Sequence, residues 1–128
     1  MRVYIAAPWI CKDAARDAAV LFSDAGFVIT KRWWDHREVP GYLEHDDHIE
    51  ELRQQAREDF EGVLTADLFV LLNLSKSEGK AVETGIALTW GIPIILVGGK
   101  SNLFHYTPNI DEARSVEHAI EIAESYGR

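Results

Sequence analysis

The sequence predicts one α/β domain in which helices cover both faces of a parallel sheet. Segments with strand and helix patterns alternate along the whole chain. The main strand segments are continuous apolar runs, as expected for strands that are buried on both faces. Parallel neighbours need crossover connections, and the alternating helices supply them. We therefore expect a single domain over residues 1–128.

The first part of the chain contains two predicted strands with a helix between them. Residues 3–7 are an apolar run, and residues 12–25 repeat alanine and phenylalanine at helical spacing before Gly26, a typical helix cap. A short strand is expected at 27–30. Residues 31–45 show neither period and predict a long loop, a kind of segment that is commonly functional.

The second part continues the same alternation. The predicted elements are a helix over 49–64 capped by Asp46 or Asp47, a strand at 68–72, a polar loop at 75–80, a helix over 81–90 closed by Gly91, a strand at 93–97, an edge strand near Ile110 and a last helix over 116–126 behind Ser115. The run at 68–72 is the strongest signal of a buried strand in the sequence.

Charge and composition exclude several classes of protein. Lys and Arg number 13 against 21 Asp and Glu, and this net charge of −8 repels polyanions, so no nucleic-acid polymer is expected as a partner. A single phosphate can still bind the backbone N–H groups of a helix N-terminus. No apolar run is long enough to cross a membrane. A lone cysteine, Cys11, cannot form an internal disulfide, so we expect a cytoplasmic location.

Ligands of open parallel sheets bind at the carboxyl ends of the strands. This rule selects the loops after Ala7, Thr30 and Leu74. Glu83 follows the last of these loops, in the first turn of the helix predicted over 81–90. There the helix dipole favours an ionised carboxylate, which a nucleophile requires. The alternative is that Glu83 is an ordinary first-turn residue.

Four features occur together in an order that resembles a known family. They are Tyr4 in the first strand, Asp59 after Arg57-Glu58, the pair Ala66-Asp67 opening the next strand, and the pattern Gly79-x-x-x-Glu83-x-Gly85-x-Ala87. Over residues 3–97 the chain resembles the nucleoside 2-deoxyribosyltransferase superfamily, which includes the 2′-deoxynucleoside 5′-monophosphate N-hydrolases. The resemblance implies a flavodoxin-like (Rossmann-like) three-layer sandwich with a central parallel sheet of four or five strands.

The resemblance also implies a retaining glycosidase mechanism. Glu83 would attack C1′ of a deoxyribose, Asp59 would protonate or position the departing base, and Tyr4 would orient the Glu83 carboxylate. Hydrolysis of a nucleotide is the expected reaction, and base exchange on unphosphorylated deoxynucleosides is the alternative. A nucleotide-binding regulatory domain without turnover is a further hypothesis. We expect no cofactor, no metal and no membrane partner, and the family habit of sharing sites predicts a homodimer or higher homo-oligomer.

Ser77 bears on the choice of substrate. By resemblance it occupies the position where the transferases tend to carry an aspartate and the monophosphate hydrolases a serine, whose hydroxyl can donate to a phosphate. Gly79 and neighbouring N–H groups would add to that site. The hydrolases tend to have glycine and arginine in the first loop, whereas this loop offers Lys12, so Lys80 is a second candidate cation.

Other substrate-binding candidates lie on the same side of the predicted sheet. Ala7 ends the first strand, and Trp9 could stack a base, as could Trp33 or Trp34, although a core role is equally compatible with each tryptophan. By resemblance, Asn102 and His105, with Phe104 between them, complete a neighbouring subunit's site. A surface position is the alternative for His105.

Two motifs are set aside. Residues 98–101 read Gly-Gly-Lys-Ser like the end of a phosphate-binding loop, but Ile94 stands where that motif needs its first glycine. Residues 45–48 read His-Asp-Asp-His, and they lack further ligands at the spacing of a zinc site.

Overall fold

The computed structural model describes residues 1–37 and 48–127. Its strands are β1 (Arg2–Ala6), β2 (Val28–Ile29), β3 (Leu68–Leu72), β4 (Ile94–Val97) and β5 (Ile110–Ala113). Its α-helices are α1 (Lys12–Asp24), α2 (Ile49–Leu64), α3 (Glu78–Thr89) and α4 (Val116–Tyr126). Short 3₁₀ turns at Trp9–Cys11, Trp33–Asp35 and Leu103–Tyr106 lie in the connections.

The five strands form one parallel sheet in the order β2-β1-β3-β4-β5. This is the flavodoxin-like order, so the predicted fold class is confirmed. Helix α1 packs against α4, and α2 packs against α3. Since crossovers between parallel strands are right-handed, these two pairs lie on opposite faces of the sheet and form the outer layers.

The three central strands form the middle of the core. Every residue of β3 and β4 is buried, and so is every residue of β1 except Arg2. Helix α1 contributes the buried residues Ala15, Ala18, Ala19 and Phe22 to one face. The continuous apolar runs in the sequence are explained by this burial on both faces.

Helix α3 begins three residues earlier than the sequence pattern predicts. Ser77 is its N-cap, and the Ser77 hydroxyl oxygen accepts a hydrogen bond from the backbone N–H of Lys80 at 3.2 Å. The polar segment 75–80 was predicted as loop because it carries no apolar stripe. Glu83 therefore lies in the second turn of α3, and its predicted place in the first turn is wrong.

Most other elements follow the prediction. The bounds of β3 and α4 are as predicted, and Ser115 caps α4 through a hydrogen bond from the His118 N–H. The edge strand predicted near Ile110 is β5. The proposed caps Asp46 and Asp47 lie outside the described residues. Within the described residues, no helix combines the length and apolar character needed to span a bilayer.

Candidate active site

Side chains from three elements come together beside strand β1. The Tyr4 hydroxyl, on β1, donates a hydrogen bond to the Glu83 carboxylate on α3. The charge of Asp59, on α2, acts on both Tyr4 and Glu83. The Tyr4 ring is fully buried and stacks on Phe69 with the ring centroids 5.7 Å apart. Tyr4 and Glu83 are thus in direct contact, and Asp59 lies near enough for its charge to act on both.

Glu83 is a carboxyl group whose surroundings favour its protonated form. Burial raises the pKa of Glu83 from its ordinary value of 4.5 to about 7, the Tyr4 hydrogen bond opposes this rise, and the charge of Asp59 adds to it. Desolvation penalises the charged form of an acid, which is the largest effect here. The expectation that the helix N-terminus holds Glu83 ionised does not apply, since the dipole effect fades beyond the first turn.

Asp59 is paired with a histidine that the sequence analysis did not select. The Nε2 atom of His36 lies 2.9 Å from the Asp59 carboxylate, and the His36 side chain is only 13% exposed. Burial raises the pKa of Asp59, and the contact with His36 partly offsets that rise. The sequence offers one indication of His36: it lies in the loop after the second predicted strand, a segment that we expect to be functional.

The tryptophans after β1 and β2 have different roles. Trp33 and Trp34 are buried, which confirms the core interpretation for both, and the Trp33 indole N–H donates to the Ile5 carbonyl at 2.6 Å. Trp9 is half-buried and lies against Trp33 with 6.1 Å between ring centroids. The Lys12 ammonium lies 4.8 Å from the centre of the Trp9 ring. Of these three tryptophans, Trp9 is therefore the one that could offer a face to a ligand.

The N-terminus of α3 carries the residues predicted to bind a phosphate. The Ser77 hydroxyl accepts the cap hydrogen bond, which leaves its own proton free to donate. Gly79 is exposed in the first turn. The Lys80 ammonium is directed instead to Asn73 Oδ1 at 2.5 Å and to the Ser75 carbonyl, and Lys80 is buried. Burial lowers the pKa of Lys80. Through these contacts Lys80 stabilises the loop that follows β3.

A groove of about 850 Å³ runs along the other flank of α3. Asn102 and His105 line it together with Ser77 and Lys80, whereas Glu83 is not part of its lining. His105 is buried, so its alternative interpretation as a surface residue is wrong. Its Nδ1 atom accepts a hydrogen bond from the Ser101 N–H at 3.0 Å. Within one chain, the structure does not bring Asn102 and His105 to the Glu83 carboxylate.

Ala7 is buried directly after β1, beneath the loop that carries Trp9. Among residues 1–37 and 48–127, no three His, Cys, Asp or Glu side chains come together as a metal-binding group. The segment His45-Asp46-Asp47 lies outside the described residues.

The chain thus has the flavodoxin-like α/β fold with a buried tyrosine–carboxylate pair on one flank of α3. Several solved structures share this fold, among them two enzymes. The CMP N-glycosidase BcmB of Clostridium botulinum is 20% identical, with a TM-score of 0.63 over 98% of this chain and 100% of that chain. A 2-deoxyribosyltransferase from Bacillus psychrosaccharolyticus is 17% identical, with a TM-score of 0.68 over 93% and 90%. No protein-family model and no curated protein matches the sequence.

Proposed function

We propose that the protein hydrolyses the N-glycosidic bond of a 2′-deoxynucleoside 5′-monophosphate through a covalent intermediate on Glu83. The observation that carries this proposal is the hydrogen bond from the buried Tyr4 to the partly buried Glu83, with Asp59 near enough for its charge to act on both. Retaining glycosidases use a pair of carboxyl groups in the same way. The two proteins that share the fold are named for cleavage and transfer at this type of bond.

In the first step, a Glu83 oxygen attacks C1′ of the sugar while the bond from C1′ to the base nitrogen breaks. The electron pair leaves with the base, and Asp59 gives the base a proton. In the second step, Asp59 takes a proton from water and the water oxygen attacks C1′. The bond from C1′ to the Glu83 oxygen breaks, and its electron pair returns to the Glu83 carboxylate. The products are the free base and the sugar 5′-phosphate, and both carboxyl groups return to their starting states.

This division of roles requires an ionised Glu83 and a protonated Asp59. Burial raises the pKa of Asp59, which is the direction that a general acid requires. The pKa of Glu83, about 7, leaves a substantial ionised fraction at neutral pH. Positive charge develops on the sugar in the transition state and stabilises the ionised Glu83. His36 holds Asp59 from the other side and limits the rise of its pKa.

A nucleotide is preferred over a nucleoside because of Ser77. Its free hydroxyl proton and the exposed first turn at Gly79 suit a phosphate dianion. Lys12, in the first turn of α1, supplies a cation on the same side of the sheet. Trp9 offers a ring face to the base. Lys80 keeps its predicted role in substrate binding only as a hypothesis, since its ammonium is already engaged.

The test incubates the protein with a panel of deoxynucleoside monophosphates, deoxynucleosides and CMP. Chromatography then measures the free base that is released. A hydrolase releases base from a monophosphate without an acceptor. A transferase, the alternative suggested by the second fold relative, needs an acceptor base and shows ping-pong kinetics. A regulatory domain binds a nucleotide without turnover. The proposal fails if no member of the panel loses its base.

We also propose that two copies of the chain associate through the groove beside α3, in the cytoplasm. Leu103 and Phe104 are 79% and 64% exposed at its margin, and contiguous exposed apolar surface favours a protein contact. Such a contact would bring Asn102 and His105 to a second subunit. Light scattering should show twice the chain mass for wild type, and the chain mass for Phe104→Asp. Val20→Asp, at another exposed apolar position, should leave the dimer intact.

A further inference from the structure

At Gly62, helix α2 approaches Lys31 too closely for a residue with a side chain, and it also lies tightly against the Tyr4 ring of strand β1. A Cβ atom built on Gly62 would lie 2.7 Å from the Cβ atom of Lys31. It would also lie 3.0 Å and 3.1 Å from the Cε2 and Cδ2 atoms of the Tyr4 ring. Contacts below 3.0 Å essentially never occur for real Cβ atoms, so a methyl group there must displace one of its neighbours.

The neighbours of Gly62 have little freedom to move. The Cβ atom of Lys31 is fixed to the backbone just after β2, and the Lys31 ammonium pairs with Glu58 at 2.6 Å. The Thr30 hydroxyl donates to the Gly62 carbonyl at 2.7 Å, which ties this turn of α2 to the end of β2. On its other side the Tyr4 ring stacks on Phe69. The ring is therefore held between Gly62 and Phe69.

Gly62 also lies three residues after Asp59, and residues at that spacing share one face of a helix. The closeness of α2 at Gly62 therefore bears directly on the Tyr4 ring, and Asp59 lies on the same side of α2. Glycine is unfavourable inside a helix because it loses more backbone freedom than alanine. A packing requirement explains why this position is nevertheless without a side chain.

We infer that Gly62 is a positioning residue, which by having no side chain lets α2 lie against the Tyr4 ring and so holds the Tyr4 hydroxyl at Glu83. This inference rests on the proposed function of the same site. Gly62 lies beside the Tyr4 ring, and its effect on Glu83 is exerted through that ring. Its effect must therefore appear in the properties that Tyr4 controls, above all in the ionisation of Glu83.

The experiment compares Gly62→Ala with wild type in the base-release assay across pH. We expect kcat to fall about 10- to 100-fold, because a displacement of about 1 Å in a catalytic site can cost that much. KM should change little. The ascending limb of kcat/KM should move to higher pH, because a weakened Tyr4 hydrogen bond no longer opposes the rise in the pKa of Glu83. In a Tyr4→Phe background the same substitution should have almost no further effect on kcat.

Val63→Ala is the matched control, since it shortens a fully buried side chain at the next position of α2. It should lower the thermal midpoint but keep the wild-type kcat and pH limb. A folded Gly62→Ala protein with wild-type kcat and pH limb overturns the inference. So does a loss of kcat that persists in full when Tyr4 is already phenylalanine.

Two further outcomes are decisive. If Gly62→Ala does not fold, it is combined with Lys31→Gly, which removes the nearest Cβ atom, and with Tyr4→Leu, which replaces the crowded ring. Recovery of folded protein supports the inference, and no recovery overturns it. If wild type releases no base from any substrate, the proposed function fails, but the contact itself is still tested. The thermal midpoints of the two single variants and the double variant then show whether Gly62 and Tyr4 are coupled.

Discussion

Two tyrosine–carboxylate pairs in this molecule make the same hydrogen bond in different surroundings. Tyr4 donates to Glu83 beneath α3, and Tyr126 donates to Asp111 between the end of α4 and the edge strand β5. The first pair is largely removed from solvent, whereas Asp111 is exposed. Burial and the neighbouring charge of Asp59 raise the pKa of Glu83 to about 7 despite the Tyr4 hydrogen bond. The raised pKa of Glu83 therefore comes from the surroundings of the pair and not from the hydrogen bond, which opposes it.

The largest expected difference is between substitutions of the two carboxylates, Glu83 and Asp111. Glu83→Gln should lower kcat for base release by on the order of 10³-fold or more, because it removes the nucleophile. Asp111→Asn is the matched control and should keep kcat within about twofold, since surface substitutions away from a site have small effects. Retention of the wild-type rate by Glu83→Gln contradicts the mechanism. Loss of rate in Asp111→Asn contradicts the contrast between the pairs.

Asp59 distinguishes the interior pair from the surface pair, and its removal should have the next largest effect. Asp59→Asn should lower kcat about 10²- to 10⁴-fold, the usual contribution of a general acid or base. Glu58→Gln, one residue earlier on α2 and paired with Lys31, is the control and should retain activity. Equal losses in the two variants would point to disruption of α2 and not to proton transfer.

Removal of the Tyr4 and Tyr126 hydroxyl groups tests the hydrogen bonds that they donate to Glu83 and Asp111. Tyr4→Phe should lower kcat/KM at pH 7 about tenfold, the equivalent of a lost hydrogen bond to a charged group. The ascending limb, set near pH 7 by the Glu83 carboxyl, should move to higher pH because the donor that lowers the pKa of Glu83 is gone. Tyr126→Phe should leave both quantities unchanged. An unchanged pH limb in Tyr4→Phe would show that Tyr4 does not act on Glu83.

The smallest expected effect is on stability. Because the pKa of Glu83 rises from 4.5 to about 7 on folding, the folded state holds this proton more tightly than the unfolded chain. The resulting stabilisation is complete below about pH 4.5 and is lost as the pH rises to about 7. Thermal midpoints of Glu83→Gln should lack this component, and those of Asp111→Asn should keep it. Parallel curves for wild type and Glu83→Gln would contradict the shifted pKa.

Local signals in the sequence predicted most of the fold. The apolar run of β3 and the cap Ser115 before α4 each act within a few residues, and both were located correctly. The start of α3 was missed because the cap Ser77 opens a turn without apolar residues. With the helix start at residue 81, Glu83 is expected in the first turn, where the dipole would keep it ionised. Glu83 lies in the second turn, and burial has the largest effect on its pKa.

The site depends on contacts between distant segments, and these are harder to predict. Tyr4, Asp59 and Glu83 were chosen through a family resemblance, and the structure brings them together. His36 and Gly62 were missed, since the importance of each lies in what faces it across the fold. A histidine in a loop and a glycine in a helix have no distinctive pattern until the partner is known.

The two edges of the sheet restrict how copies of the molecule can aggregate or assemble. One edge is β2, which is two residues long, and the other is β5, which carries Asp111 and Glu112 exposed to solvent. Short strands and negative charges both discourage a foreign strand from extending a sheet. Both edges therefore hinder the growth of a continuous sheet between molecules. Ordered association is expected through the surfaces of the helices instead.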